Sequence, residues 1–532
     1  MIKKKVDKNK KTITKTTNEN KELDGAIRTL AKGSVIVLFG LTLSKFLTYL
    51  WTLIIARSGA SILGGFSIGS SFLSLGETVA VLGIPAGLYR LLPEFSVKNE
   101  VDKLHQTIFT SYFVILITSG IISLTLILLS SWISFRYFPN IKGISAVIDV
   151  FALGIPFVVL LDITAAVMHG LKHVEYEAIT RNIIENLLKI VGIGSAIFFG
   201  LGIIGLSALY VVAEAISVVI ALYLLNKYVH KIEIDKKHIK NEGIFDRILF
   251  YSLPILIATP FFTVINNADI LFLGHYTNAP LTGIYAAVSQ TVLIMLLVPG
   301  IVAKLNQQVQ VELKEKKNLK QMNQIMNFIT KWIFILNFPI LVVFAIFSKL
   351  ILSILYGNQY VIGNYTFIIL LFSFLIFTLA SYAFDALEVY DKPKFILINT
   401  GISAFLDIVL CYILVPRLGL IGAGIATGAS MAALGLLAQY EVYALTGFQP
   451  FDKPFLKLIL AGIIPSVILY LFVNTFTQFN GIYWTVLQTL VYGVLYAISL
   501  LTFRIVDKTD LIAVDIVEKK IGTKLLSKLL NN

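Results

Sequence analysis

Cysteine is almost missing from this chain of 532 residues. The single Cys411 excludes an intramolecular disulfide framework and offers no thiolate cluster to a metal. Charge is scarce as well: 14% of the residues are charged, against roughly 25% in average soluble domains. That is too little to coat a water-soluble protein of this length. The histidines, His173 and His238 among them, do not cluster, and no H-E-x-x-H or Ser/His/Asp grouping is found. The G-x-x-x-x-G-K-[ST] pattern is absent, which excludes a P-loop and direct drive by ATP. No long polar loop is present to hold the nucleotide-sugar site of a glycosyltransferase. Ten-residue segments of alternating polarity are lacking, which argues against an outer-membrane barrel. The first 24 residues are polar and lysine-rich, so no cleavable signal peptide is expected.

What is present is hydrocarbon. Hydrophobic residues make up 57% of the chain and come in repeated runs of about 20. Each run matches a bilayer core of roughly 30 Å at about 1.5 Å of rise per helical residue. The expected fold is an all-α integral membrane protein with about fourteen spans. They are placed at 35–56, 64–87, 107–132, 145–169, 182–200, 204–225, 248–271, 281–303, 327–353, 365–388, 395–414, 420–443, 456–474 and 482–503. The expected organisation is a basic cytoplasmic tail (1–25), a first six-helix lobe (26–228) and a charged cytoplasmic linker (229–245). A second six-helix lobe (246–445), two further helices (446–503) and a cytoplasmic tail (504–532) complete it. Within that tail, 511–530 has apolar residues at helical spacing with lysines between them. It reads equally as an amphipathic helix on an anionic membrane surface or as a solvated end.

Fourteen spans put both termini on one side. Of 44 Lys and Arg, 36 fall in the termini and loops of that side, counting Lys457 at the inner edge of the span 456–474. Four (Arg57, Arg136, Lys142 and Arg417) fall opposite, and four (Lys45, Lys189, Lys331 and Lys349) lie within spans. The positive-inside bias therefore predicts cytoplasmic termini in the cell membrane. The net charge of +13 follows from these scattered loops, so nucleic-acid binding is not expected.

Glycine marks an internal repeat. LGIIGLSALY at 201–210 returns as LGLIGAGIAT at 418–427, so Gly202 matches Gly419 and Gly205 matches Gly422 at an offset of 217. GGFSIGSS at 64–71 aligns with TGIYAAVS at 282–289 at an offset of 218, pairing Gly65 with Gly283. Six spans per repeat keep both copies the same way up, an architecture of transporters that bind substrate near the midplane between halves. The glycines are expected to make tight outer turns and, at Gly422 and Gly424, to admit close helix packing.

The stretches IIARSGASILGGFSIGSSF (54–72), LGIPAGLYRLLPE (82–94), NADILFLGHYTNAPLTGIYAAVSQ (267–290) and VPRLGLIGAGIATGAS (415–430) resemble polysaccharide flippases. These belong to the multidrug/oligosaccharidyl-lipid/polysaccharide exporter superfamily. The resemblance covers nearly the whole chain and includes the two helices after a MATE-like twelve-helix core of two pseudo-symmetric lobes. It implies translocation of an undecaprenyl- or dolichyl-linked oligosaccharide to the outer leaflet. Membrane lipids and glycan-assembly enzymes are the partners it suggests. No cofactor is expected, and Na⁺ or H⁺ coupling is compatible with the pattern.

Ionisable residues within spans are the first functional candidates, because a charge at the bilayer centre costs at least about 2.5–3.5 kcal/mol. Lys45, near the middle of the first span, is the leading contact for a carrier phosphate; its structural alternative is an ion pair with Glu77. Arg57 and Arg90 occupy positions where the family commonly has arginine. Arg57 reads either as a pyrophosphate contact at the outer gate or as a snorkelling anchor. Arg90 and Lys304 read as phosphate contacts or as cytoplasmic anchors. Glu185 lies four residues before Lys189, the spacing of an intrahelical pair. The repeat partner of Lys189 at offset 218 is Asp407, which raises the alternative of an interlobe latch. Asp162, Glu214, Asp269, Asp385 and Asp407 are the remaining acids, candidates for a coupling ion or for helix–helix hydrogen bonds. With Asp269, Asn266 and Asn267 make the seventh span polar enough to line a cavity.

The expected function is a lipid-linked oligosaccharide flippase rather than an enzyme. Its rivals are a cation-coupled drug exporter, a peptidoglycan-precursor flippase and, from another class, a membrane polymerase or ligase acting on lipid-linked sugars. The last would need a large catalytic outer loop, and the longest outer loops have about a dozen residues.

Overall fold

The computed structural model describes residues 42–229, 243–300, 310–311, 314–315, 319–450, 453–476 and 481–505. The expected basic tail 1–25, most of the linker 229–245 and the amphipathic stretch 511–530 lie outside them. Among the described residues the chain is helical, with no strand. Helix α1 covers 42–58. It is followed by α2 (Ala60–Ala80), α3 (Ile84–Val97), α4 (Val101–Tyr137), α5 (Ile144–Gly170) and the short α6 (Val174–Glu177). After a π-helical turn at Ala178–Ile184 come α7 (Glu185–Phe198), α8 (Gly202–Leu224), α9 (Ile244–Tyr276) and α10 (Ala279–Val292). The rest comprises α11 (Leu319–Ile346), α12 (Ser348–Leu355), α13 (Asn364–Leu379) and α14 (Ser381–Val389), then α15 (Pro393–Leu418), α16 (Leu420–Thr446), α17 (Lys453–Thr475) and α18 (Ile482–Thr502).

Eleven helices among the described residues are long and apolar enough to cross a membrane, and α2 with α3 makes a twelfth, bent by 44°. The expected count of fourteen is therefore not reached among them. The two missing spans have specific reasons. The span placed at 35–56 begins ahead of the described residues. The one placed at 182–200 is interrupted by the π-helical turn, which leaves α7 only 14 residues long. The bend between α2 and α3 follows from chemistry: Pro85 enters the first turn of α3 without an N–H to donate, and Gly83 precedes that helix at φ 67°.

The chain divides into two units. The first gathers Phe72–Trp132 and Ser145–Leu256 with the chain up to Ile54. The second gathers Ile55–Ser71, Ile133–Ile144 and the chain from Ile257 onward. In the first, Leu161, Val218 and Ala221 form a buried nucleus between α5 and α8. In the second, α16 is the most enclosed span, buried over 61% of its apolar window, whereas α4 of the first is buried over only 22%. Leu124, Leu128 and Phe135 on α4 stand exposed, as side chains facing lipid do.

Gly202 and Gly419, the repeated glycines, both adopt left-handed backbone, φ 64° and 54°. They turn α7 into α8 and α15 into α16 where a side chain would be strained. Gly64 and Gly283 serve close approach instead. Within the second unit, a Cβ on Gly64 would land on the Ala279 carbonyl oxygen, and a Cβ on Gly283 on the Ala60 carbonyl oxygen. The crossing of α2 and α10 is thus reciprocal, Ala60-x-x-x-Gly64 against Ala279-x-x-x-Gly283. Its register is 219, so Gly283 meets Gly64 as its counterpart, one residue from the pairing with Gly65 read off the sequence.

Candidate functional site

Each unit holds a buried polar cluster of its own. In the first, α7 and α8 meet around Lys189. Its Nζ lies 2.5 Å from Glu185 Oε1 and 2.6 Å from Glu214 Oε1. The ring of Tyr210 closes a third side, its centroid 4.5 Å from the ammonium. The lysine side chain is 7% exposed, that of Glu214 2% and that of Glu185 15%, so the ammonium itself is buried. A buried ammonium needs such company, because desolvation alone exceeds what one carboxylate returns. Glu214 Oε2 keeps no hydrogen-bond partner.

Trp51 of α1 packs edge-on against Tyr210, with ring centroids 5.8 Å apart. Asn186 of α7 fastens α1 alongside. Its Oδ1 accepts from Thr48 Oγ1 (3.1 Å) and Trp51 Nε1 (3.3 Å), and its Nδ2 donates to Ser44 Oγ (3.3 Å). A second polar group sits nearby on α2, α5 and the π-helical turn. The Glu77 carboxyl lies within electrostatic reach of that of Asp162, and Arg181 Nη2 holds Asp162 Oδ1 at 2.7 Å.

In the second unit the cluster is acidic and underfilled. Asp269 of α9 accepts from Thr427 Oγ1 (3.1 Å) and from the Ile270 N–H (2.7 Å), while Tyr285 Oη donates to Thr427 (2.9 Å). Asp407 of α15 is wholly buried and within electrostatic reach of Asp269. Neither of its oxygens has a hydrogen-bond partner, nor does the buried Ser403 hydroxyl one turn earlier. The Ser430 hydroxyl lies beside Asp407, but its hydrogen goes to the Ala426 carbonyl at 2.8 Å. Buried carboxylate oxygens without donors are costly. Hard oxygen donors of this kind suit a monovalent cation or a proton. Among the described residues no three His, Cys, Asp or Glu side chains gather in a metal-binding group.

The residues singled out from sequence are distributed as follows. Lys45 is exposed on α1 and makes no ion pair among the described residues; Glu77, its expected alternative partner, lies within electrostatic reach of Asp162. Arg57 caps α12: its Nε donates to the Leu355 carbonyl at 2.5 Å and its Nη2 to that of Ile354. Cations at a helix C-terminus satisfy free carbonyls and the helix dipole. Arg90 lies over the Tyr251 ring, 5.1 Å from its centroid. Asn267 donates to the Thr263 carbonyl within α9 (2.8 Å), as Asn266 does to Phe262 (2.8 Å). Lys304 lies outside the described residues. Lys189, Asp162, Asp269 and Asp407 belong to the clusters above. Tyr210, Arg181, Ser403, Thr427 and Tyr285 were not singled out. The repeat offset, applied to each charged residue and its i ± 4 neighbours, points to Ser403 as the counterpart of Glu185.

A multi-pass helical protein with ionisable residues buried inside its spans has the architecture of a membrane transporter. The fold is shared with solved transporters. A lipid II flippase, MurJ, in an inward closed conformation superposes with TM-score 0.70 at 17% identity, over 88% of this chain and 99% of that one. An inward-facing multidrug resistance MATE family transporter of the MOP superfamily gives 0.64 at 13%, over 77% and 98%. Residues 78–362 match the family model described as polysaccharide biosynthesis protein, and the chain belongs to that family. It is similar to a candidate O-antigen transporter of Shigella flexneri, 22% identical over 54% of this chain and 68% of that protein. It is also similar to an uncharacterized membrane protein of Methanocaldococcus jannaschii, 22% identical over 80% and 85%.

Proposed function

We propose that this protein is a flippase that carries a polyprenyl- or dolichyl-(pyro)phosphate-linked oligosaccharide from the cytoplasmic to the outer leaflet by alternating access. The observation that carries the reading is membership of a polysaccharide biosynthesis family on a fold shared with a lipid II flippase. The O-antigen relative points the same way. A hydrated sugar crosses hydrocarbon only if the protein supplies polar surroundings along the path. The carrier phosphate needs a cation. Of the lysines placed within spans, Lys45 and Lys349 are exposed and make no ion pair among the described residues, and Lys45 is the one near the middle of its span. Arg90 and Lys304 are its proposed helpers nearer the cytoplasm, where both termini are proposed to lie. Arg57 is read as a cap rather than a phosphate contact.

Asp269 and Asp407 form the proposed coupling site, with Thr427 and Ser403 as further oxygen donors for Na⁺, or with a carboxyl taking up H⁺. Cation coupling also fits a drug exporter, and the MATE-like fold keeps that reading as the runner-up beside a peptidoglycan-precursor flippase.

The test is delivery of the glycan to the outer leaflet in cells that depend on this protein, with membrane abundance measured alongside. Lys45→Ala is expected to block delivery and to leave abundance unchanged. Full delivery by that variant would remove Lys45 from the phosphate site. Failure of the wild-type protein in proteoliposomes to move any lipid-linked oligosaccharide, while it exports a cationic drug, would favour the exporter.

A further inference from the structure

The two buried clusters occupy equivalent places in the repeat. At an offset of 218, Trp51 corresponds to Asp269, Glu185 to Ser403 and Lys189 to Asp407; at 217, Tyr210 corresponds to Thr427. Each set stands at the junction of three helices, α1, α7 and α8 in the first unit and α9, α15 and α16 in the second. Chemistry separates them. The first junction holds an ammonium between two carboxylates under an aromatic ring, 2.5 and 2.6 Å from its two acids. The second holds two acids, and three of its oxygens, Asp407 Oδ1, Asp407 Oδ2 and Ser403 Oγ, have no hydrogen-bond partner.

We propose that the Lys189 ammonium is a covalently tethered cation, standing in the first unit where the second unit takes a free one. The first site is then permanently occupied, and one free cation, rather than two, drives each transport cycle. Three features support this. The lysine is almost fully buried, so its charge serves no solvent or lipid surface. Its amine makes two contacts to carboxylates and one to a ring face, the surroundings of a bound ammonium ion. Without the ammonium, Glu185 and Glu214 would form a pocket of two facing acids, with Glu214 Oε2 already lacking a partner. Such a pocket takes a monovalent cation to offset its charge. The inference rests on the reading of Asp269 and Asp407 as a cation site, although its test does not.

The test uses the full chain purified in detergent, with melting followed in sodium, methylammonium or choline chloride at constant ionic strength. Choline is the control, too bulky for a pocket vacated by an amine. The response of the wild-type protein to Na⁺, and its loss in Asp407→Asn, reports on the second unit alone. Lys189→Ala is then made in the Asp407→Asn background. We expect a lower melting temperature in choline, restored by a saturable upward shift in Na⁺ or methylammonium that Asp407→Asn alone does not show. A folded, monodisperse double variant with no cation-specific shift would overturn the proposal and leave the coupling site untouched. A pair with only a structural role would be lost in the same way in all three salts. Should Lys189→Ala fail to accumulate, Glu214→Gln is added. Recovered accumulation supports charge compensation by the lysine, and continued absence overturns it.

Discussion

Lys189 and Asp407 stand 218 residues apart at equivalent places of the repeat, and the first is clamped by two carboxylates while the second has no hydrogen-bond partner. The difference lies in single residues on a shared frame. The first unit sets an ammonium against its buried carboxylates, and the second has no cation among the described residues to set against Asp407. An unpaired buried carboxylate destabilises a fold, and that cost is what motivates the coupling role proposed for Asp407.

This gives a prediction with two readouts of opposite sign. Asp407→Leu removes two unsatisfied oxygens from a wholly buried site. It is expected to raise stability by about 1–3 kcal/mol and to abolish the dependence of glycan delivery on the coupling cation. Thermal melting and delivery under a collapsed ion gradient measure the two effects. Higher stability with cation-dependent delivery intact would dismiss Asp407 from coupling.

The reciprocal crossing of α2 and α10 gives a second. Alanine at Gly64 or Gly283 would drive a methyl onto a backbone carbonyl oxygen, which no side-chain rotation relieves. Each substitution is expected to cost about 1–3 kcal/mol. Gly120→Ala in α4 is the control, since its Cβ would meet nothing within 4 Å. That variant should melt at or slightly above the wild-type temperature. Equal behaviour of all three variants would mean that the crossing is loose.

Arg57 is the residue for which cap and phosphate contact make opposite forecasts. A cap on the Ile354 and Leu355 carbonyls predicts that Arg57→Ala lowers the melting temperature with or without substrate. Arg57→Lys should recover only part of the loss, since an ammonium lacks the two-pronged geometry of a guanidinium. A phosphate contact predicts unchanged melting and weaker binding of the lipid-linked glycan. The first pattern is expected.

Much of the architecture could be read from the sequence because a bilayer imposes it. A run of about 20 apolar residues has few other stable forms in lipid, and the paired glycines at 202 and 419 carried the repeat. The exceptions arise where local chemistry overrides hydropathy. The π-helical turn at Ala178–Ile184 shortens a span that composition alone makes continuous. The bend at Gly83 splits another. For the site, spacing within one helix revealed the Glu185–Lys189 pair, since residues four apart share a face. Glu214 as the second clamp, Glu77 against Asp162, and Arg57 on α12 all join distant parts of the chain, which periodicity does not encode.

Asn186 offers the last prediction, because one buried amide fastens α1 to α7. Its oxygen takes hydrogen bonds from Thr48 and Trp51, and its nitrogen gives one to Ser44. Each such bond is worth about 0.5–1.5 kcal/mol net, and an apolar replacement removes all three at once. Lys45 lies next to Ser44 on the same helix, so the anchor sets how firmly the proposed phosphate contact is held. Asn186→Leu is therefore expected to speed amide hydrogen exchange over residues 42–58 and to reduce glycan delivery, with little change elsewhere. Trp51→Phe removes one bond of the three and should have a smaller effect in the same direction. If Asn186→Leu slows delivery while exchange in α1 stays at the wild-type rate, the amide acts on something other than the position of that helix.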